Sequence, residues 1–190
     1  KTDEPTFQRV PEMVQALLGL EVYATVKVDG SSGTAWREEG GLRVCSRNWE
    51  LLENDANVFW ACANQYASTI PEGYAVQFEA AGPGIQGNPA GMTRVTPLAF
   101  QVYAIQERRY LDKEEFCNFC DDAAIPVVSF IEPPTQEMLA SDDLLRTYAE
   151  GNYPNGKPRE GVVIRPVIEQ LVPTTGERVS FKIINLMYRD

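Results

Sequence analysis

Histidine is absent from this 190-residue chain, and with it goes every hydrolase scheme in which an imidazole activates a serine or a cysteine. Cysteine is scarce, at four residues: Cys45, Cys62, Cys117 and Cys120. Only Cys117 and Cys120 have C-x-x-C spacing, and a structural zinc site would need a second such pair or histidines. Phe116, Cys117, Phe119 and Cys120 instead fit the buried face of a helix begun near Asp112, so packing is the expected role of the cysteines. No apolar stretch approaches the roughly 20 residues of a membrane span. Lys1 to Gln8 lacks the apolar core of a signal peptide. A soluble, intracellular (cytoplasmic) protein with no membrane contact is expected.

Positive charge is also in short supply. Seventeen Lys and Arg stand against 27 Asp and Glu, a formal net charge of -10. That is the wrong sign for holding nucleic acid by phosphate neutralisation alone. Any polynucleotide contact is therefore expected to be local, with an additional nucleic-acid-binding domain outside this chain supplying the rest.

With 44% hydrophobic residues, the chain can bury one full core, and a single α+β domain over residues 1–190 is expected. Leu20 to Val28 alternates in the manner of a strand, placing Lys27 on the face opposite the valines. Gly33 to Trp36 and Leu42 to Ser46 form a hairpin around Glu38-Glu39-Gly40-Gly41. Asn54 is the expected cap of a helix to about Ala67. Tyr74 to Ala81 and Leu98 to Ile105 read as strands, Asp112 to Ala123 and Thr135 to Glu150 as helices. Glu160 to Arg165 and Arg178 to Ile184 complete the strands, around a turn near Thr174-Thr175-Gly176. Trp36, Trp49 and Trp60 are assigned to packing, although Trp49 adjoins Arg47.

Gly82-Pro83-Gly84-Ile85-Gln86-Gly87 satisfies G-x-G-x-x-G directly after a strand. A dinucleotide-binding turn must open a helix facing pyrophosphate, whereas Asn88-Pro89-Ala90-Gly91 continues the loop. The match is set aside.

The chemistry concentrates elsewhere. Lys27-Val28-Asp29-Gly30 closes the first strand, and a lone K-x-D-G of this kind reads as a solvated strand lysine. Its companions change the reading: Ser46-Arg47-Asn48, then Glu79, then Tyr103, then Glu160-Gly161-Val162-Val163-Ile164-Arg165, then Ser180-Phe181-Lys182-Ile183-Ile184-Asn185. An amine attacks phosphorus only when unprotonated, and a free lysine titrates near 10.4, so a nucleophilic lysine needs cationic neighbours or a metal. Arg165 and Lys182 are candidates, and would also neutralise charge on a transferring phosphoryl group. Glu160 and Glu79 carry oxygens suited to Mg²⁺ or Mn²⁺.

This order of segments resembles the covalent nucleotidyltransferase superfamily of polynucleotide ligases and capping guanylyltransferases. The segments F-E-A-A-G-P-G-I-Q-G-N and S-F-K-I-I-N look most like ATP-dependent RNA ligases of the nick-sealing, Deinococcal type. The resemblance implies an adenylation domain in which two antiparallel β-sheets with flanking helices enclose a nucleotide pocket, with Lys27 at its floor. It implies that Lys27 forms a lysine-AMP adduct from ATP, passes AMP to an RNA 5′-phosphate, and lets a 3′-hydroxyl displace it, with Lys182 as the second catalytic residue. Nucleotide contacts would come from Val26, Lys27, Asp29, Gly30, Arg47, Glu79, Tyr103, Arg165 and Lys182, with Glu79 on the ribose hydroxyl and Tyr103 stacked on adenine. Metal would sit on Glu160 and Glu79. The RNA partner would be a nicked duplex or a broken strand.

Three positions depart from the pattern. Val26 stands where many RNA ligases place a base-reading glutamate, leaving that task to main chain or another side chain; Arg165 replaces the usual lysine; and Ile184 fills the second place of K-x-K. A DNA ligase, a capping guanylyltransferase and a non-catalytic nucleotide- or RNA-binding module are the alternatives.

Overall fold

The computed structural model describes residues 3–188. The chain divides into two units assembled from interleaved stretches. The first holds Lys1–Asp3 and Asp29–Val127, the second Glu4–Val28 and Val128–Asp190.

The second unit is built on a four-stranded antiparallel sheet, in the order β7-β1-β8-β9, from β1 (Val22–Lys27), β7 (Phe130–Ile131), β8 (Gly161–Pro166) and β9 (Phe181–Ile184). Val22 and Ala24 of β1, Val162 and Ile164 of β8, and Phe181 and Ile183 of β9 join one core cluster with Phe7, Leu17, Leu139 and Leu145. That face is covered by the α-helices α1 (Pro11–Ala16), α4 (Gln136–Leu139) and α5 (Asp142–Ala149). The period of two then sends Tyr23, Thr25 and Lys27 to the opposite face. Register aligns Tyr23 with Arg165 and Lys27 with Gly161, while Val163 pairs with Lys182. The expected separation of Lys27 from the valines therefore holds, and one face gathers Lys27, Arg165 and Lys182.

The first unit carries a five-stranded antiparallel sheet, ordered β3-β2-β4-β5-β6. Its strands are β2 (Ser31–Glu38), β3 (Gly41–Ser46), β4 (Tyr74–Ala81), β5 (Thr96–Ala104) and β6 (Arg109–Tyr110). The hairpin of β2 and β3 turns at Gly41, whose φ of +108° suits glycine. Ala35, Val44, Val76, Phe78, Ala99 and Val102 face the core with Trp60 of α2 (Val58–Asn64) and Phe116 and Cys120 of α3 (Lys113–Asp122). Burial pushes the Cys120 thiol up to about 12, in keeping with the packing role read from its spacing.

Local capping chemistry moved two helices. Asn57, not Asn54, caps α2, its Oδ1 accepting from Phe59 and Trp60 N–H; Asn54 closes a turn onto Ala56 N–H instead. The single helix expected over residues 135–150 is two, because Ser141 adopts extended backbone and its hydroxyl accepts from Leu144 N–H. The S-D-D start is an N-cap signal in its own right. The last strand is also shorter than expected, beginning at Phe181, while Arg178 pairs across the preceding turn with Leu171. Gly82 to Gly87 remains a loop of turns with no helix after it, as its proline and glycine content requires.

Candidate active site

Lys27 ends β1 and Glu160 immediately precedes β8, and the pairing of Lys27 with Gly161 brings the two side chains together. Lys27 Nζ donates to Glu160 Oε1 at 2.6 Å, with side chains 24% and 17% exposed. Three features hold that geometry. A Cβ on Gly161 would lie 2.1 Å from the Ile183 carbonyl oxygen, so only glycine lets β8 approach β9 here. Asn185, buried, donates through Nδ2 to the Arg159 and Gly151 carbonyls at 2.9 and 3.3 Å, while its own N–H donates to the Glu160 carbonyl at 2.9 Å. Tyr153 Oη donates to the Lys27 carbonyl at 3.3 Å. The lysine and the carboxylate are thus each tied down through their own main chain.

Further along the same face, Arg165 is 1% exposed. Its Nη2 donates to Glu4 Oε1 at 3.0 Å and its Nε to Ser180 Oγ at 3.0 Å. Burial alone would raise the Glu4 carboxyl, but Arg165 and then Arg178 outweigh it and hold Glu4 below its ordinary value. Burial opposes the charge on Arg165 as well, while Tyr23 and Glu4 favour it, and its net shift is upward. The arginine expected to grip phosphate is therefore bound within its own unit by a carboxylate and a hydroxyl. Lys182 is half-buried on β9, and its main-chain N–H donates to the Pro5 carbonyl at 2.8 Å. Val26 N–H donates to the Ser129 carbonyl at 2.8 Å.

The remaining predicted residues lie in the first unit. Asp29 and Gly30 are partly buried. A Cβ on Gly30 would meet the Ala80 carbonyl at 2.5 Å and Glu79 Cγ at 2.9 Å, so the glycine of K-x-D-G lets the chain pass directly over the strand carrying Glu79. Glu79 pairs with Ser32, and Tyr103 with Ala75, so both occupy the sheet face opposite the core. The Tyr103 ring meets Tyr110 edge-on at 5.1 Å between centroids. Arg47, in the turn after β3, is ion-paired with Asp3, both roughly half exposed. Trp49, expected to pack, is 75% exposed. Its place in a polar turn, bounded by Ser46 and Glu50, was the signal against burial.

Glu4, Asn185 and Tyr153 were not singled out as working residues by the sequence. The asparagine ends S-F-K-I-I-N, so only its role was missed. Glu4 lies 161 positions from Arg165, and nothing local announces that pairing.

An RNA ligase family profile matches residues 20–184, spanning β1 through β9. The chain belongs to the RNA ligase family. Among solved structures, a variant of Naegleria gruberi RNA ligase with ATP and Mn superposes with a TM-score of 0.85 at 26% identity, covering 99% of this chain and 56% of that one. The same Naegleria gruberi ligase with pyrophosphate gives 0.82 at 26% identity, covering 97% and 55%. A further variant with AMP and Mn gives 0.78 at 27%, again covering 97% and 55%. This chain thus spans a little over half the length of the ligase chains it matches, and its two antiparallel sheets with flanking helices are the α+β fold expected of an adenylation domain. A search of curated protein sequences gives no match.

Proposed function

We propose that this chain is the adenylation domain of an ATP-dependent RNA ligase that joins RNA 3′-hydroxyl and 5′-phosphate ends, at a nick or a break, in intracellular RNA repair. The observation that carries the reading is the 2.6 Å contact of Lys27 Nζ with Glu160 Oε1, made by the two motif residues the RNA ligase family profile spans. The matched ligase's complexes with ATP, AMP and pyrophosphate suit the same chemistry here.

In the first step Lys27 Nζ attacks the α-phosphorus of ATP. A P–N bond forms, the bond to the bridging oxygen breaks, and pyrophosphate leaves. The nitrogen must shed protons, and Glu160 is the acceptor in reach. In the second step an oxygen of the RNA 5′-phosphate attacks the AMP phosphorus and the P–N bond breaks, restoring Lys27. In the third, the 3′-hydroxyl oxygen attacks the 5′-phosphorus, its proton is lost, and AMP leaves. Lys182 and Arg47 supply cationic charge to the phosphates, Tyr103 the adenine stack, and Glu79 the ribose contact. Val26, Asp29 and Gly30 complete the nucleotide-binding set. Arg165 shapes the lysine-bearing sheet from within, through Glu4 and Ser180.

Among the described residues no group of three or more Asp, Glu, Cys or His is arranged around a common point. A carboxylate site completed by substrate phosphates and water fits Mg²⁺ or Mn²⁺, and Glu160 and Glu79 are the acids proposed to hold the ion. Such an ion would neutralise charge building on the phosphates. A nucleic-acid-binding domain outside this chain belongs to the reading, given the acidic balance and the length of the matched ligases.

The test is incubation with α-labelled ATP or GTP and Mg²⁺ or Mn²⁺, followed by denaturing electrophoresis. Label from ATP is expected, falling by about 100-fold or more in Glu160→Ala, the size typical of a lost acid–base group. Label from GTP alone would point to capping chemistry, and no label from a folded protein to a binding module.

A further inference from the structure

Trp49 is three-quarters exposed in a turn that is otherwise fixed. Ser46 N–H donates to the Trp49 carbonyl at 2.8 Å; Ser46 Oγ donates to the same carbonyl at 3.2 Å and accepts from Trp49 N–H at 3.3 Å. Below these bonds Cys45 pairs with Glu50, and Leu51 N–H donates to the Val44 carbonyl at 2.8 Å. The strand pairing thus continues past the turn and sets its backbone. An indole held in this way remains in water at a hydrophobic cost, while its flat face needs no rearrangement to accept a partner.

The neighbours in the turn narrow the partner's chemistry. Arg47 is half exposed, and its present partner, Asp3, is itself 40% exposed, so an incoming phosphate competes with a solvated pair. Asn48, also exposed, adds amide donors and an acceptor. An aromatic face beside a guanidinium and an amide within four residues is how proteins hold single-stranded nucleic acid: the ring stacks on a base and the cation takes the backbone. A chain of net charge -10 cannot hold RNA by summed positive charge. Stacking is the contribution that does not depend on that sum.

We propose that the Ser46–Glu50 turn is an RNA contact, in which Trp49 stacks on an unpaired nucleobase and Arg47 exchanges Asp3 for a backbone phosphate. The inference rests on the RNA ligase reading and adds to it a base-stacking residue outside the nucleotide-binding set.

Its test uses the whole chain as wild type, Trp49→Ala, Trp49→Phe and Leu52→Ala. Leu52 is 92% exposed just beyond the same turn and controls for loss of exposed apolar surface. Labelling of Lys27 by ATP reports the adenylation chemistry. Affinity for a 5′-phosphorylated single-stranded RNA oligomer, at one fixed salt concentration, reports the proposed contact. Trp49→Ala should bind about tenfold or more weakly, the size of one lost stack; Trp49→Phe should retain most of the affinity, and Leu52→Ala all of it. Addition of RNA should quench tryptophan fluorescence in the wild type and much less in Trp49→Phe. Wild-type affinity in Trp49→Ala, or an equal loss in Leu52→Ala, overturns the proposal while labelling of Lys27 by ATP leaves the ligase reading standing. Failure of the wild type to label removes the ligase reading and this inference with it.

Discussion

The two units handle charge in opposite ways. In the second, the ion pairs Lys27–Glu160, Arg165–Glu4 and Arg178–Glu169 have every side chain at most 24% exposed. In the first, the pairs of Arg43 with Glu50, Arg47 with Asp3 and Arg109 with Glu115 are all 40% exposed or more. Desolvated pairs cost several kcal/mol per ion to assemble and are strongly destabilising when halved, whereas solvated pairs are worth little and are screened by salt. The second unit therefore fixes its charges where the proposed chemistry happens. The first holds these charges in solvent.

The sharpest way to break this contrast is Glu4→Gln, which leaves the Arg165 guanidinium buried without its carboxylate. A loss of about 3–5 kcal/mol is expected, read from the denaturant midpoint at an unchanged slope. A loss under about 1 kcal/mol would mean that water reaches the pair and the contrast is false. The sign of the pH dependence follows from Glu4 being held low: its contribution is present above the ordinary carboxylate range and disappears as pH falls through the lowered value.

Much of the layout was legible in the sequence, for a physical reason. Alternation along Leu20 to Val28 put Lys27 opposite the valines, whereas the pairing of Lys27 with Gly161 is a long-range register that the local pattern does not carry. The unread parts are those with no local signature. Glu4 meets Arg165 across 161 positions. Ser141 divides a helix because its cap outcompetes an otherwise continuous pattern. Trp49 was misassigned because hydrophobicity ranked above turn context, although exposed aromatics are themselves informative.

Smaller effects sharpen the first unit's side of the comparison. Asp3→Asn should cost less than about 1 kcal/mol, a difference that vanishes in high salt; a large, salt-insensitive loss would place that pair with the buried class. Glu115 is the intermediate case. Hydrogen bonds from Arg109 lower its carboxyl to about 2 from an ordinary 4.5, and its side chain also accepts from Asp112 N–H at the start of α3. A group lowered in the fold stabilises above its unfolded value, so the contribution is complete above about 4.5 and is lost between 4.5 and 2. Urea midpoints at about pH 5.5 and about pH 3 should therefore diverge less in Glu115→Gln than in the wild type.

The most direct measurement is peptide mapping of the adduct after incubation with ATP and Mn²⁺. The account predicts AMP on the peptide containing Lys27, joined through an acid-labile P–N bond, and none in a folded Lys27→Ala variant. AMP on another residue, or an undiminished adduct in Lys27→Ala, would contradict it.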